Sequence, residues 1–296
     1  MRKTLAWLIA ALLLAACDPT SQPSPSPAPE VDFTKPGAAS AMVARLMEQA
    51  GADRAVMVAI RARDVQVSVL DDGQPATWAY RDGKIAQVKQ DLAYVDQASF
   101  DPADFDISDV GAMFRAAAGV CGSSVEQMLQ IVDYSGGRVM MSVTTNPESR
   151  TVFFNADSSL LETLDFNTPR GVQQGLREVV GLLTDVYALG VSSTQGAWVE
   201  FPGTQQGVVV RRQRSARVPP ITTNRAEQTD SPTFSAQAVD AAVIWTLVDS
   251  ERGSADVPAD ADWEVRVEPG PPAVMRFTVG QARFATTLDG QPLANQ

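Results

Sequence analysis

Apolar residues recur along this chain in two periods, and the period changes at intervals. Over 39–50 they fall at Met42, Val43, Leu46 and Met47, the one-sided spacing of an amphipathic helix, and Gly51 supplies its stop. Strand runs are predicted next. The run 56–60 is almost wholly apolar, and 65–69 alternates as a half-buried antiparallel strand does. Trp78 to Tyr80 resume the strand pattern between turn signals at Asp71-Asp72-Gly73 and Asp82-Gly83.

The alternation of helix and short strands then repeats. Ser108 is placed to cap a helix carrying Val110, Met113 and Phe114. Ser123 and Glu126 form a capping box for a second helix, with Val125, Met128, Leu129 and Val132 inward. Strands are predicted at 139–144, 151–155 and 160–166. A third unit opens with a helix over 171–188, carrying Val172, Leu176, Val179, Val180, Leu183 and Tyr187 on one face. Strands at 197–201 and 208–214 follow, then a loop over 221–232. A fourth unit starts at Phe234-Ser235 with a helix carrying Val239, Val243, Ile244, Leu247 and Val248, and strands at 263–268, 274–279 and 283–288.

Four helix-then-meander units imply an α+β fold with an internal duplication, the units pairing into two domains over 36–167 and 168–296. Strand-to-strand steps are short and mostly lack a helix between them, which argues against a doubly wound parallel sheet. The unit pattern is similar to PepSY-type and beta-lactamase-inhibitor-type domains, which pack helices on a small antiparallel sheet. Shared architecture does not transfer function.

The N-terminus carries the most specific signal. Arg2 and Lys3 precede an apolar run over 5–16, too short to span a bilayer as a helix, and the run ends Leu14-Ala15-Ala16-Cys17. This arrangement resembles the lipobox of bacterial lipoproteins. The resemblance implies a signal peptide over 1–16, cleavage before Cys17, and diacylglyceryl attachment to its thiol. Acyl chains hold through roughly 0.8 kcal/mol per buried methylene. Asp18 resembles the signal that retains lipoproteins in the inner membrane of Gram-negative bacteria. The Pro/Ser-rich stretch after it completes a tether over 17–35, which favours an extended, hydrated chain.

Composition narrows the chemistry. Removing 1–16 takes away two of the 24 basic residues and none of the 35 acidic ones, leaving the mature chain near −13. Such a protein does not seek nucleic acid or anionic lipid through net charge. With Cys17 lipidated, Cys121 is the one cysteine left, so no intramolecular disulfide forms. A buried, inert thiol is the reading adopted for it. The chain has no histidine. Ser-His-Asp and Cys-His nucleophile systems, the usual catalytic zinc sites and histidine pH switches are all excluded. No cofactor is expected.

Several segments carry residues suited to a site. The acidic run Asp101, Asp104, Asp106, Asp109 starts like a calcium loop, but Asp109 stands where the turn needs Gly and Arg115 where a bidentate Glu is needed. A solvated loop with a helix cap fits better. Asp256, Asp260 and Asp262 form a second acidic loop with less pattern. Paired carboxylates could hydrolyse glycosides without histidine, yet nothing in the chain singles out a pair. Arg211, Arg212, Arg214 and Arg217 follow an apolar strand. They read either as a docking patch for an anionic ligand or as the charges that protect an exposed edge strand. Trp78, Trp198 and Trp263 each fall in a strand. They either pack under helices or line one open sheet face, Trp198 being the best candidate for exposure. The expectation is a non-catalytic membrane-anchored lipoprotein that binds another envelope component, most simply a protein. A solute- or lipid-binding lipoprotein and a carboxylate-based hydrolase are the alternatives.

Overall fold

The structure is a computed structural model that describes residues 31–89, 97–146, 151–228, 230–258 and 260–293. The expected signal peptide, Cys17 and the Pro/Ser-rich stretch lie outside the described residues. The first half runs α1 (Ala38–Ala50), β1 (Met57–Ile60), β2 (Val65–Asp71), β3 (Gln74–Arg81), β4 (Lys84–Val88), a 3-10 turn at Pro102–Asp104, α2 (Val110–Cys121), β5 (Met128–Ser135), β6 (Arg138–Thr144) and β7 (Val152–Phe154). The second runs α3 (Pro169–Val180), β8 (Asp185–Val186), β9 (Ala188–Ser192), β10 (Gly196–Pro202), β11 (Val208–Arg214) and β12 (Ile221–Ala226). It continues with β13 (Phe234–Ser235), a 3-10 turn at Ala236–Ala238, α4 (Ala241–Arg252), β14 (Trp263–Glu268), β15 (Val274–Val279) and β16 (Ala282–Thr287).

The protein is α+β, built on two seven-stranded antiparallel sheets. Their orders are β4-β3-β2-β1-β5-β6-β7 and β12-β11-β10-β9-β14-β15-β16. The two orders are the same pattern. In each, a helix precedes four meandering strands, a second helix precedes three more, and the first strands of the two meanders pair at the sheet centre. The internal repeat is therefore one of topology. A two-stranded ribbon of β8 and β13 completes the second half.

Each sheet buries one face under its helices. Val58, Ile60, Val65, Val67, Leu129, Ile131, Met141 and Val143 meet Met42, Val43, Leu46 and Met47 of α1 and Val110, Met113, Phe114 and Ala117 of α2. Leu189, Val191, Val199, Val265, Val267 and Phe277 meet Val172, Leu176 and Val179 of α3 and Ile244 and Val248 of α4. Each such side chain contributes about 1.5–3 kcal/mol when buried. Leu164 and Phe166 already pack in the second cluster, ahead of α3.

Five expected elements differ. The predicted helix around Ser123 is β5. Gly122, at φ 75°, ends α2, and Leu129 and Ile131 then alternate inward with Gln130 between them. Their period of two outweighs the capping box, and Glu126 sits at φ 47° instead of in a helix. The helix expected over 171–188 stops at Val180, where Gly181 takes φ 54°. Leu182 beyond it is 99% exposed, and Leu189 and Val191 resume as β9. The fourth helix begins at Ala241, because the Asp240 carboxylate accepts the Ala242 N–H at 2.8 Å; Phe234 and Ser235 form β13. Residues 221–226, expected as loop, form the edge strand β12. The strand expected over 160–166 is reduced to a bridge between Phe154 and Leu160, and β4 was not anticipated.

The halves touch where β12 meets the end of β5. The Ser135 hydroxyl accepts the Thr222 N–H at 2.7 Å and donates to the Thr222 carbonyl at 3.2 Å. Among the described residues no helix is long and apolar enough to cross a membrane.

Candidate functional site

The arginine strand does not form one patch. β11 pairs with both β10 and β12, so it is an inner strand and its charges do not guard an edge. Alternation sends its arginines to opposite faces. Arg212 and Arg214 lie opposite Val199 and Ala197 on the helix side, whereas Arg211 lies opposite Glu200 on the other.

Arg214 is fully buried and serves the fold. Its Nε donates to Glu178 of α3 at 2.7 Å. Its remaining donors reach the carbonyls of Ser215, Ala216 (3.2 Å), Val218 (2.8 Å) and Glu162 (2.8 Å). Arg212 donates to the Val179 carbonyl at 3.0 Å and lies over the Phe201 ring. Burial, with Arg138 nearby, lowers its affinity for the proton. Arg212 thus satisfies a carbonyl in the last turn of α3, one of the groups a helix C-terminus leaves open.

On the helix-free face, Glu200 collects the cations. Arg225 of β12 forks onto both its carboxylate oxygens at 2.9 Å, and Arg211 reaches it at 3.1 Å. The Arg225 hydrogen bonds, with Arg211 adding to them, hold the Glu200 carboxyl below the usual range against the opposing effect of burial. Arg225 holds its own proton more tightly for the same reason. Neither arginine is free for an anionic ligand.

Trp198 does lie on this face, but only 5% of it is exposed. It rests on Gly190 of the neighbouring strand, where a Cβ would stand 2.6 Å from the indole. Arg211 lies 4.3 Å from its ring and Arg266 of β14 lies 5.5 Å away. Arg266 and Gly190 were not picked from sequence; only the register of β9, β10 and β14 joins them. Trp78 and Trp263 pack on the helix sides of their sheets, Trp263 edge-on to Trp245 of α4. The three tryptophans share no open face. Cys121 ends α2 half-buried, its thiol donating to the Ser123 carbonyl at 3.2 Å.

The acidic run, read as a failed calcium loop, builds something else. Its carboxylates close turns. Asp101 accepts the Ala103 N–H at 2.9 Å, Asp106 the Ser108 N–H at 3.0 Å, and Asp109 the Ala112 N–H at the start of α2 at 2.8 Å. Asp109, not Ser108, is thus the cap. The run is pinned to α1 and the segment after it. Ala55 and Phe100 exchange backbone hydrogen bonds at 2.8 Å, and Gly37 donates to the Ser108 carbonyl at 2.7 Å.

Between the run and α1 lies a groove of about 1160 Å³. Its floor is apolar, from Val43, Met47, Phe105 and Ile107. Its rim carries Glu48, Asp53, Asp101, Asp104, Asp106 and Asp157, and among the described residues no basic side chain lines it. Hydrogen bonds from Ser108 hold Asp106 below the usual carboxylate range, and those from Ser159 do the same for Asp157. Both remain ionised, the reverse of what a general acid requires. The acidic half of this groove was visible in sequence. Glu48 and Asp53 were not, because they sit some fifty residues away and meet the run only through tertiary contacts such as the Ala55–Phe100 bridge.

No family model, curated protein or solved structure matches this chain.

Proposed function

We propose that this chain is a lipid-anchored extracytoplasmic protein that performs no chemistry and binds a protein of the cell envelope. The groove between α1 and the acidic run is the contact, and the partner presents a basic, amphipathic segment to it. The observation that carries this reading is the pairing of an apolar floor with a rim whose charges, among the described residues, are all acidic. An apolar floor rewards buried side chains, and a one-sign rim in a low-dielectric cleft draws the opposite sign and rejects its own. The lipobox-like N-terminus supports placement at the membrane, and Asp18 favours the inner one if the cell is Gram-negative. A Pro/Ser-rich tether would hold the folded part clear of the headgroups.

The test has two arms. Cys17→Ser moves the protein from the membrane fraction to the soluble one if the anchor is right. Immobilised 31–296 is then used to capture partners from an envelope extract, beside a Glu48→Gln/Asp53→Asn/Asp104→Asn variant. The expected result is a partner with a Lys/Arg-rich segment, retained by the native surface and lost from the variant. Equal capture by both surfaces would remove the groove from the contact.

A further inference from the structure

A second concavity, of about 490 Å³, lies where the segment 215–218 of the second half passes the outer strands of the first. It is lined by Val120, Tyr134, Phe153, Leu160 and Leu161, with Arg217 at its rim as its one charged lining residue among those described. We propose that this pocket binds a single-chain anionic amphiphile, its acyl tail among the apolar side chains and its headgroup on Arg217.

Three observations converge on that occupant. The first is exposure. Val120 and Leu160 are 41% and 42% exposed, two of the four large apolar side chains that stand well into solvent among the described residues. Both belong to this one pocket, and clustered exposed apolar surface marks contact sites where scattered residues do not. The second is the state of Arg217. Arg211, Arg214 and Arg225 are ion-paired and Arg212 is spent on a carbonyl. Arg217 makes no hydrogen bond or ion pair among the described residues and is exposed. A guanidinium with all its donors open beside an apolar hollow suits a carboxylate or phosphate headgroup, which it can grip with two parallel hydrogen bonds. The third is size. The volume falls within the ~300–1,000 Å³ of small-molecule sites. Tyr134, stacked edge-on against Phe153 at 4.7 Å, holds its phenolic proton more tightly because of burial.

A cationic ligand would meet Arg217 as a like charge, and a bulky two-chain lipid would exceed the hollow. The proposal is independent of the groove near α1, which lies on other elements and carries the opposite charge.

The experiment uses the full chain with Cys17→Ser, so that no acyl chain of its own competes, in detergent-free buffer. The probe is dansyl-undecanoate, followed by its fluorescence and displaced with unlabelled ligands. The expected result is saturable binding at one site per chain in the micromolar range, displaced by dodecanoate or dodecyl phosphate and not by dodecylamine. The stronger of the two competitors identifies the headgroup. Arg217→Glu weakens binding by about tenfold or more, because it replaces attraction with repulsion at one site. Leu160→Asp abolishes it. Both residues are exposed, and an unchanged thermal unfolding curve shows that each variant is folded. No saturable binding overturns the proposal. So does displacement by dodecylamine as strong as by dodecanoate, or binding that either variant leaves unchanged.

Discussion

The guanidinium of Arg214 is sealed from solvent and donates to the carboxylate of Glu178 at 2.7 Å, joining β11 to α3. Four carbonyls accept from its two terminal nitrogens, one of them on Glu162 in the segment that leads out of the first half. Removing one partner of a buried pair leaves polar groups dry and unmatched, a loss of about 3–5 kcal/mol. Arg214→Ala is therefore expected to lower the midpoint of urea unfolding sharply. Arg214→Lys does not restore it, since an ammonium cannot fan out to five acceptors. A near-native midpoint for either variant would show that the surrounding carbonyls find water.

Gly190 and Trp198 set a second test. The indole lies against the glycine, and an added Cβ would come within 2.6 Å of it. Arg211 and Arg266 flank the ring, so it cannot slide freely within the face. Gly190→Ala should push Trp198 outward and cost about 1–3 kcal/mol, as overpacking does. A red-shifted tryptophan emission with a lowered Tm is the expected pair of readouts. An unchanged spectrum would mean that the strand, not the indole, gives way.

The arrangement around Glu200 makes an acid-sensitive contact. Its carboxyl is held below the ordinary value by Arg225 and Arg211. A depressed folded pKa means that the contribution is complete above the unfolded pKa of about 4.3 and is lost as pH falls through the lower folded value. Glu200→Gln is expected to lower Tm by a constant amount from neutral pH down to about 4.5. Below that the two curves converge. Parallel curves through the acid range would assign the acid loss to other carboxyls.

The limits of sequence reading follow from the same residues. Helices α1 and α2 and the strands on the central face of each sheet were legible because burial on one side imposes a period that composition cannot hide. β5 was misread since Met128, Leu129 and Val132 also satisfy a helical spacing; only Ile131, buried with Leu129, reveals the period of two. β12 escaped notice because Ile221 to Ala226 face solvent along an edge and carry no apolar alternation. The arginines were found, but their roles were not. Glu178 lies 36 residues from Arg214, and Arg225 lies 25 from Glu200. Neither separation has a signature along the chain, because both arise from strand register and from α3 crossing the sheet.

The groove rim supplies a prediction that needs no partner. Glu48, Asp53 and Asp104 are exposed and stand among other carboxylates, with no basic residue in the lining among the described residues. Taken singly, exposed substitutions shift stability by about 0.5 kcal/mol or less. Like charges crowded around one cleft repel, and that repulsion is screened once the Debye length falls to ~3 Å near 1 M salt. The native protein should therefore gain Tm as sodium chloride is raised. The triple variant Glu48→Gln/Asp53→Asn/Asp104→Asn should begin with a higher Tm at low salt and gain less. A surface held against its own repulsion in this way is a cost to folding, which the basic segment proposed above would relieve. If both proteins respond to salt alike, the rim charges are too far apart to interact, and the electrostatic part of the binding proposal falls with them.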